Sequence, residues 1–246
     1  MKQWLTMMIL SGMLMAEPFE ARAVIEATDR AVLSSEIGGK VLQIPKRNGD
    51  SFQKGDLLVR IECDVFEAER EKIRTKRDTA QAKVEKNHSL QQYNSIGKFE
   101  VKISELELEE QEQALKIATL NTERCNILAP YKGRVVAKIA NQFQNVKPQE
   151  ELLEVVSSES LEIRAVVPAN LMLWLTPGKA FTMRVDELGT SLTATITQLD
   201  PVVDPQSQTI SLRAALKNPK DVIAGMSGTA LFDLPIAAQK AINPKR

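Results

Sequence analysis

Few side chains in this sequence have the type and spacing that chemistry requires. His88 is the only histidine, and no second His or Cys stands at the spacing of a zinc site. Asp200 and Asp204 lie four positions apart, but no nucleophile with a neighbouring base accompanies them. We therefore expect no catalytic residue, no cofactor and no metal site.

Length and charge narrow the class of protein further. The chain has 246 residues, of which 32 are basic and 32 acidic, so its formal net charge is 0. Binding to nucleic acid needs a basic excess on some face, and nucleic acid is therefore not an expected partner. Aromatic residues make up only 4% of the chain, which predicts a core of aliphatic side chains.

The first residues have the pattern of a secretory signal peptide. Lys2 is followed by an apolar run of about 12 residues, whereas a membrane-spanning helix needs roughly 20. Small residues follow at Ala16 and Ala23. The pattern predicts a signal peptide over residues 1–16, with cleavage as late as residue 23, and export to the periplasm.

An internal repeat organises the β-rich part of the chain. A shift of 94 residues places Gly39 on Gly133 and Val41 on Val135, and it aligns the apolar strands that follow in each segment. Each segment reads as a pair of short strands, which cannot bury its apolar face alone. Two such segments packed face to face would form a flattened β-sandwich.

The two halves of this repeat are separated by more than 60 residues of helical character. Residues 64–124 contain no proline and one glycine, Gly97, and good helix formers dominate. Apolar residues recur at helical spacing on both sides of the turn sequence NSIGKFE. The segment is predicted to form an antiparallel coiled-coil hairpin with two helices of about 27 residues, each roughly 40 Å long. The apolar positions of the predicted core in the second helix are Ile103, Leu106, Ile117 and Leu120.

The charges and cysteines support this hairpin. The first predicted helix is locally basic and the second is locally acidic, and folding about the turn near Asn94 places Lys76 near Glu112. The same alignment brings Cys63 level with Cys125. In an oxidising compartment it predicts a Cys63–Cys125 disulfide at the base of the hairpin, and two buried free thiols are the alternative.

The repeated halves resemble the biotinyl/lipoyl domain, which is built from two quasi-symmetric halves. In carrier members of that family a modified lysine follows the last strand of the first half, in a motif like E-A-M-K-M. This chain reads Glu62-Cys63-Asp64-Val65-Phe66 there, so that Val65 occupies the lysine position. A long insertion also replaces the tight turn of the carriers. A lipoyl or biotin carrier role is therefore not expected.

A lipoyl-like domain split by a coiled-coil hairpin resembles the periplasmic adaptor proteins, or membrane fusion proteins, of bacterial tripartite efflux systems. The return strand CNILAPYKGRVV and the later segments DPVVDPQSQT and AGMSGTALF are similar to motifs of that family, in the same order. The likeness extends roughly from Ile25 to Leu234. It implies a mainly β fold with an α-helical hairpin: a split lipoyl-like β-sandwich, an antiparallel coiled coil and a small β-barrel.

The resemblance also implies a non-enzymatic function. Such adaptors link an inner-membrane transporter, of the resistance-nodulation-division or ABC type, to an outer-membrane channel, and they form homo-oligomers such as hexamers or trimers of dimers. The hairpin tip faces the channel, and the docking positions of the family correspond to Lys86, Leu90 and Gly97, where Gly97 replaces a serine. The alternative is a periplasmic scaffold or binding protein that uses the hairpin for a different partner.

These observations together predict the domain organisation. The predicted parts are a signal peptide (1–16), a split lipoyl-like domain (24–62 and 126–157), a helical hairpin (63–125), a β-barrel (158–235) and a tail or remnant of a membrane-proximal region (236–246).

Overall fold

The computed structural model of the protein describes residues 18–217, 221–235 and 238. The predicted signal peptide and, apart from Ala238, the predicted tail lie outside the described residues. The helices are α1 (Asp64–Gln92) and α2 (Lys98–Glu123). The strands are β1 (Phe19–Ala27), β2 (Arg30–Ser34), β3 (Gly39–Gln43), β4 (Ser51–Phe52), β5 (Leu57–Ile61), β6 (Asn126–Leu128), β7 (Gly133–Lys138), β8 (Asn145–Val146), β9 (Glu151–Ser157), β10 (Leu161–Pro168), β11 (Ala180–Val185), β12 (Ser191–Leu199), β13 (Thr209–Leu216) and β14 (Ser227–Phe232).

The described residues divide into two compact units. One unit is Asp29–Ser157, and it contains α1, α2 and strands β2 to β9. The other unit is built from both sides of that segment, residues 18–28 and those from 158 onward, and it contains β1 and β10 to β14. The inner unit is thus inserted, in sequence, between the first and second strands of the outer one.

The strands of the inner unit form two four-stranded sheets, in the orders β2-β9-β7-β4 and β6-β5-β3-β8. Val41 in β3 and Val135 in β7 are buried in one shared hydrophobic core. Each half of the repeat contributes one short strand to the other half's sheet, since β4 pairs with β7 and β8 pairs with β3. The predicted split sandwich is therefore confirmed.

Backbone hydrogen bonds between the halves are reciprocal. The Gly49 amide donates to the Val135 carbonyl at 2.8 Å, and the Phe143 amide donates to the Val41 carbonyl at 2.7 Å. The repeat shift of 94 residues converts each bond into the other, because Gly49 corresponds to Phe143 and Val41 to Val135. The halves are therefore related by an approximate two-fold axis, and each completes the other's sheet.

The insertion is the predicted pair of antiparallel helices, but the inward face of α2 differs from the prediction. Val84 of α1 is buried as its spacing suggested. On α2 the predicted core residues are exposed, and the buried positions are Val101, Ser104, Ala118 and Thr122. Both sets recur at steps of three and four residues. The sequence therefore contains two heptad stripes, and the more polar one packs on α1.

The ion pairs across the hairpin also differ from the prediction. The described residues contain no ion pair between Lys76 and Glu112. Lys83 pairs with Glu107 instead, and the His88 Nε2 atom lies 3.3 Å from a Glu105 carboxylate oxygen. The helices are therefore shifted by a few residues from the predicted alignment.

The outer unit is a closed six-stranded barrel with the strand order β1-β10-β13-β12-β11-β14. The sequence prediction placed residues from 24 onward in the split domain, whereas the structure places Phe19–Ala27 in the barrel. The physical reason is the alternation of this strand, which buries Ala21, Ala23 and Ile25 in the barrel core. A cleavage after residue 23 would divide this strand, whose pairing with β10 and β14 closes the barrel.

Candidate functional site

The tip of the hairpin is a tightly closed turn. Helix α1 ends at Gln92 with Tyr93 as its C-cap, and Asn94 then adopts a left-handed conformation with φ 54°. The Ser95 amide donates to the Leu90 carbonyl and the Asn94 amide donates to the Gln91 carbonyl, both at 2.9 Å. This pair of bonds is the Schellman motif, which satisfies the last carbonyl groups of the helix. The tip therefore has a defined backbone.

Helix α2 begins immediately after this turn. Gly97 is its N-cap, and the Glu100 side chain lies over Gly97, since a Cβ atom at this position would be 2.7 Å from a Glu100 carboxylate oxygen. A carboxylate in the first turn is favoured by the helix dipole. A serine at position 97 would have to displace only this flexible side chain, so that the fold itself does not require glycine there.

The three predicted docking residues lie along the tip. Lys86 is exposed on α1, Leu90 is half-buried, and Gly97 is exposed at the start of α2. Leu90 and Gly97 flank the turn, whereas Lys86 lies about one helical turn below Leu90. Their role in docking remains a prediction.

Two aromatic side chains at the tip were missed by sequence reasoning. Tyr93 is 80% exposed and Phe99 is 73% exposed, and they stand on opposite sides of the turn. Large aromatic side chains supply much of the binding energy of protein interfaces. A signal was available: only 4% of the residues are aromatic, and these two lie in a charged segment outside either heptad stripe.

Three lysines, Lys86, Lys98 and Lys102, border these aromatic residues, with the Glu100 carboxylate among them. Lys86 and Lys98 are in no ion pair within the described residues. Lys102 approaches Glu105 at 3.4 Å, and His88 approaches the same carboxylate. The tip thus combines two exposed rings with a basic border, an arrangement that fits an apolar surface bordered by carboxylates.

The base of the hairpin is covalently closed. Cys63 follows β5 and Cys125 precedes β6, and the structure joins the two residues in a disulfide with a Cα–Cα distance of 5.8 Å. This distance is typical of disulfides. Arg124, next to Cys125, also forms an ion pair with Glu36 at 3.1 Å. Both helices are therefore tied to the split domain where they leave it.

The position that carries a lysine in carrier domains has a different environment here. Val65 lies in the first turn of α1 and is exposed. The tight turn of a carrier is replaced by a helix that begins at Asp64. Val65 offers no amine for modification, so this position contributes no carrier chemistry.

The described residues, 18–217, 221–235 and 238, bear on membranes and on metals as follows. Neither α1 nor α2 includes an apolar stretch that is long enough to cross a bilayer. No group of three or more His, Cys, Asp or Glu side chains in these residues is arranged to hold a metal ion.

Known proteins share parts of this sequence and architecture. Residues 162–234 match the family described as CusB-like, beta-barrel domain. The nodulation protein NolF of Rhizobium meliloti is 22% identical over 228 residues, which cover 87% of this chain and 62% of NolF. The chain therefore resembles proteins that carry a CusB-like barrel. It spans about six tenths of the length of curated relatives that it matches, 59% in one case and 62% in another.

Solved structures share the fold of this chain. A MacA-MexA chimera containing the Pseudomonas aeruginosa MexA α-hairpin domain superposes with a TM-score of 0.76 and 16% identity, covering 90% of this chain and 82% of the chimera. The membrane fusion protein Spr0693 of Streptococcus pneumoniae gives a TM-score of 0.71 and 13% identity, covering 88% of this chain and 100% of Spr0693. The predicted fold class is therefore confirmed, and these likenesses support the resemblance to membrane fusion proteins.

Proposed function

We propose that this protein is a membrane fusion protein that acts as a non-enzymatic periplasmic adaptor. In this role it links an inner-membrane transporter to an outer-membrane channel, with the hairpin tip directed toward the channel. The observation that carries the proposal is the tip itself, a closed turn that exposes Tyr93 and Phe99 within a basic border. The transporter is of the resistance-nodulation-division or ABC type, and several copies of the chain act together as a homo-oligomer.

The length and attachment of the hairpin support a connecting role. At 1.5 Å per residue, α1 and α2 are roughly 40 Å long, which separates the tip from the sandwich by much more than the sandwich thickness of about 10 Å. The disulfide between Cys63 and Cys125 restrains the base. A long helical pair that is fixed at one end and ends in exposed aromatic side chains is suited to contact a distant partner.

In-cell crosslinking from the tip tests this proposal. A cysteine is introduced by Gln91→Cys or Ser95→Cys and coupled with a thiol-to-amine crosslinker in intact cells. The matched control is Asp78→Cys, an exposed position in the middle of α1. We expect the tip variants, and not the control, to capture an outer-membrane channel protein. Capture of a soluble periplasmic protein instead would favour the scaffold alternative.

The captured channel, once purified, allows the contribution of the aromatic residues to be measured. Truncation of aromatic anchors at the centre of an interface commonly weakens binding by more than tenfold. We therefore expect Tyr93→Ser/Phe99→Ser to raise the dissociation constant by at least about tenfold in a surface-binding assay. Val65→Ser, which removes an exposed apolar side chain at the base, should leave it unchanged.

A further inference from the structure

The disulfide at the base of the hairpin joins two cysteines with different surroundings. Cys125 is 1% exposed and belongs to the hydrophobic core of the split domain. Cys63 lies at the edge of the same core and is only partly buried. The rate of thiol–disulfide exchange depends on access to the reacting sulfur atom. In the folded chain a second molecule can therefore reach Cys63 much more easily than Cys125.

The helix ends beside the two cysteines also differ. Cys63 is the N-cap of α1, a helix of 29 residues. Cys125 comes directly after Arg124, which is the C-cap of α2. The positive end of a helix dipole favours a thiolate, the reactive form of cysteine, and the negative end disfavours it. The helix ends therefore favour reaction at Cys63, as the difference in exposure does.

The charged groups at the base do not reverse this preference. The carboxylates near Cys63 belong to exposed side chains, whose charges are screened by water and salt. These side chains are Glu62, Asp64 and Glu67. The guanidinium of Arg124, next to Cys125, is paired with the Glu36 carboxylate at 3.1 Å, so that its charge is largely balanced.

Backbone pairing in the split domain brings the two cysteines together. Strand β5 ends two residues before Cys63, β6 begins directly after Cys125, and the two strands pair with Arg60 opposite Asn126. The Ile61 amide donates to the Cys125 carbonyl at 2.8 Å. The Cα atoms of the cysteines are 5.8 Å apart, a separation that a disulfide requires. In the reduced protein, Cys125 is therefore held beside Cys63, and bond formation between them is an efficient intramolecular step.

We propose that Cys63 is the residue at which this chain exchanges disulfides with another molecule, and that Cys125 is the resolving cysteine. The other molecule is an oxidant that carries a disulfide, either a small-molecule disulfide or the Cys-X-X-Cys disulfide of a thioredoxin-like oxidoreductase. This inference rests on the periplasmic location included in the proposed function, because an oxidising compartment supplies such oxidants.

The exchange takes place in two steps. The Cys63 thiolate attacks one sulfur of the oxidant, a mixed disulfide forms, and the second sulfur of the oxidant leaves as a thiolate. The Cys125 thiolate then attacks the Cys63 sulfur, forms the Cys63–Cys125 bond and releases the first sulfur of the oxidant as a thiolate. The two cysteines lose two electrons and two protons, and the oxidant is reduced to two thiols by the same electrons and protons.

The reverse reaction is slow for the same structural reasons. A reducing thiolate that attacks Cys63 has to expel Cys125 as a thiolate, from a buried position at the negative end of α2. A thiolate that is poorly stabilised is a poor leaving group in disulfide exchange. The bond at the base of the hairpin therefore forms through an accessible cysteine and then resists reduction.

Single-cysteine variants test the order of reaction. Cys125→Ser leaves Cys63 alone, and Cys63→Ser leaves Cys125 alone. Each purified exported protein is mixed with oxidised glutathione, and the adduct is followed by mass spectrometry. We expect Cys125→Ser to react at least about tenfold faster than Cys63→Ser. In urea, the matched control, the two rates should agree within about twofold, because the fold no longer separates the thiols.

A measurement on the wild type does not depend on the folding of these variants. The protein is fully reduced, treated briefly with a limiting amount of iodoacetamide without denaturant, and digested for mass spectrometry. Cys63 should carry at least about tenfold more label than Cys125. The same treatment in urea should label the two cysteines equally. Circular dichroism at 222 nm confirms that the reduced protein and both variants remain helical.

An experiment in cells identifies the oxidant. Cys125→Ser should accumulate as a mixed disulfide that dithiothreitol removes, whereas Cys63→Ser should not. On a non-reducing gel, a shift by the mass of a protein indicates an oxidoreductase, which mass spectrometry then identifies. An adduct of small mass on the intact chain indicates a small-molecule disulfide instead.

The outcomes separate this inference from the adaptor proposal. Equal rates in the two folded variants, or a faster reaction of Cys125, overturn the assignment of Cys63 and leave the tip crosslinking to a channel unaffected. A preference for Cys63 in the purified protein without any Cys125→Ser adduct in cells overturns the exchange in the periplasm. A preference for Cys63 with an adduct in cells supports the inference, even if the tip captures no channel and the adaptor role is rejected.

Discussion

The two halves of the split domain follow the same backbone path with different residues. Gly49 in the first half has φ 87°, which suits glycine, and Phe143 takes the equivalent place in the second half with φ 67°. A bulky residue in this left-handed region is strained. Gly55 and Gln149 repeat the difference, with φ 86° and 68°.

The comparison shows that tertiary hydrogen bonds, and not local preference, determine this backbone. The Gly55 amide donates to the Ala129 carbonyl at 2.8 Å, and the Gln149 amide donates to the Ser35 carbonyl at 2.6 Å. Each turn closes onto the opposite half, and this requirement is the same in both places. The residue type at each turn then changes the conformational free energy of the turn but not its backbone path.

The largest expected effect concerns the glycine that begins the central strand of each half. A Cβ atom at Gly133 would lie 2.1 Å from the Val156 carbonyl oxygen, whereas a Cβ atom at Gly39 would meet only the Ile61 Cγ2 methyl group at 2.8 Å. The backbone at Val156 cannot move away from the new Cβ atom as easily as the Ile61 methyl group can. Gly133→Ala should lower the free energy of unfolding by about 4 kcal/mol or more, and Gly39→Ala by about 1–2 kcal/mol.

Urea unfolding followed by circular dichroism at 222 nm measures the stability of the two alanine variants, because both helices belong to the inner unit. The fluorescence of Trp174, which lies in the barrel unit, serves as the internal control and should be unaffected. Equal losses for the two alanine variants would show that the halves are more alike than the structure indicates.

The next effect concerns the covalent link between the halves. Cys63→Ser/Cys125→Ser removes a disulfide whose partners are 62 residues apart. Disulfides typically contribute about 2–4 kcal/mol by restricting the unfolded chain. We expect a loss of about 3–4 kcal/mol, because the loop that the disulfide closes is long and its closure strongly restricts the unfolded chain. Thiol labelling of the unreduced wild type provides the check, since alkylation of both cysteines would refute the link.

A smaller effect of opposite sign is expected at the strained turn. Phe143→Gly removes an unfavourable left-handed residue and should raise the stability of the inner unit by about 0.5–1 kcal/mol. Gly49→Ala, where a Cβ atom would meet nothing within 4 Å, should lower it by about 1 kcal/mol through backbone strain alone. Both are measured by urea unfolding at pH 7. Destabilisation by Phe143→Gly would mean that its ring, 65% exposed and 5.7 Å from the Lys40 ammonium group, stabilises the turn more than the strain costs.

The smallest expected effect is a pH dependence of stability at Tyr131, to which Ile37 corresponds in the other half of the repeat. The Tyr131 hydroxyl donates to the Val155 carbonyl at 3.2 Å, and burial, with a further contribution from the Asp29 carboxylate, raises the pKa of this phenol above its ordinary value of about 10. A raised pKa means that stability is full below pH 10 and falls as the pH rises through the folded-state pKa. The urea midpoint should therefore fall less in Tyr131→Phe than in the wild type between pH 9 and pH 11. If the urea midpoints of wild type and Tyr131→Phe changed equally with pH, the raised pKa of Tyr131 would be contradicted.

Much of this fold was predictable because its repeat is visible in the sequence. The shift that superposes Gly39 on Gly133 identifies the two halves, and the absence of proline between Asp64 and Arg124 identifies the hairpin. The strand Phe19–Ala27 was assigned to the wrong unit, because its partners β10 and β14 are remote in sequence and pairing over such distances leaves no local signal.

The surface of the hairpin was less predictable than its existence. Sequence periodicity identified only the stripe of α2 that contains Ile117, because Ile117 is more apolar than Thr122 in the other stripe. Which stripe is buried depends on the partner helix, and the stripe containing Val101 and Ser104 packs on α1. At the tip, motif spacing directed attention to Lys86 and Leu90, whereas exposure reveals Tyr93 and Phe99.

The position of β1 has a consequence for the order of assembly. This strand pairs with β14, so the barrel cannot close until residues as late as β14 are available for pairing. In the hairpin and the two halves around it, contacting residues are closer in sequence than β1 and β14 are. These parts can therefore form before the barrel closes. We therefore expect the inner unit to fold before β1 pairs with β14 and completes the barrel.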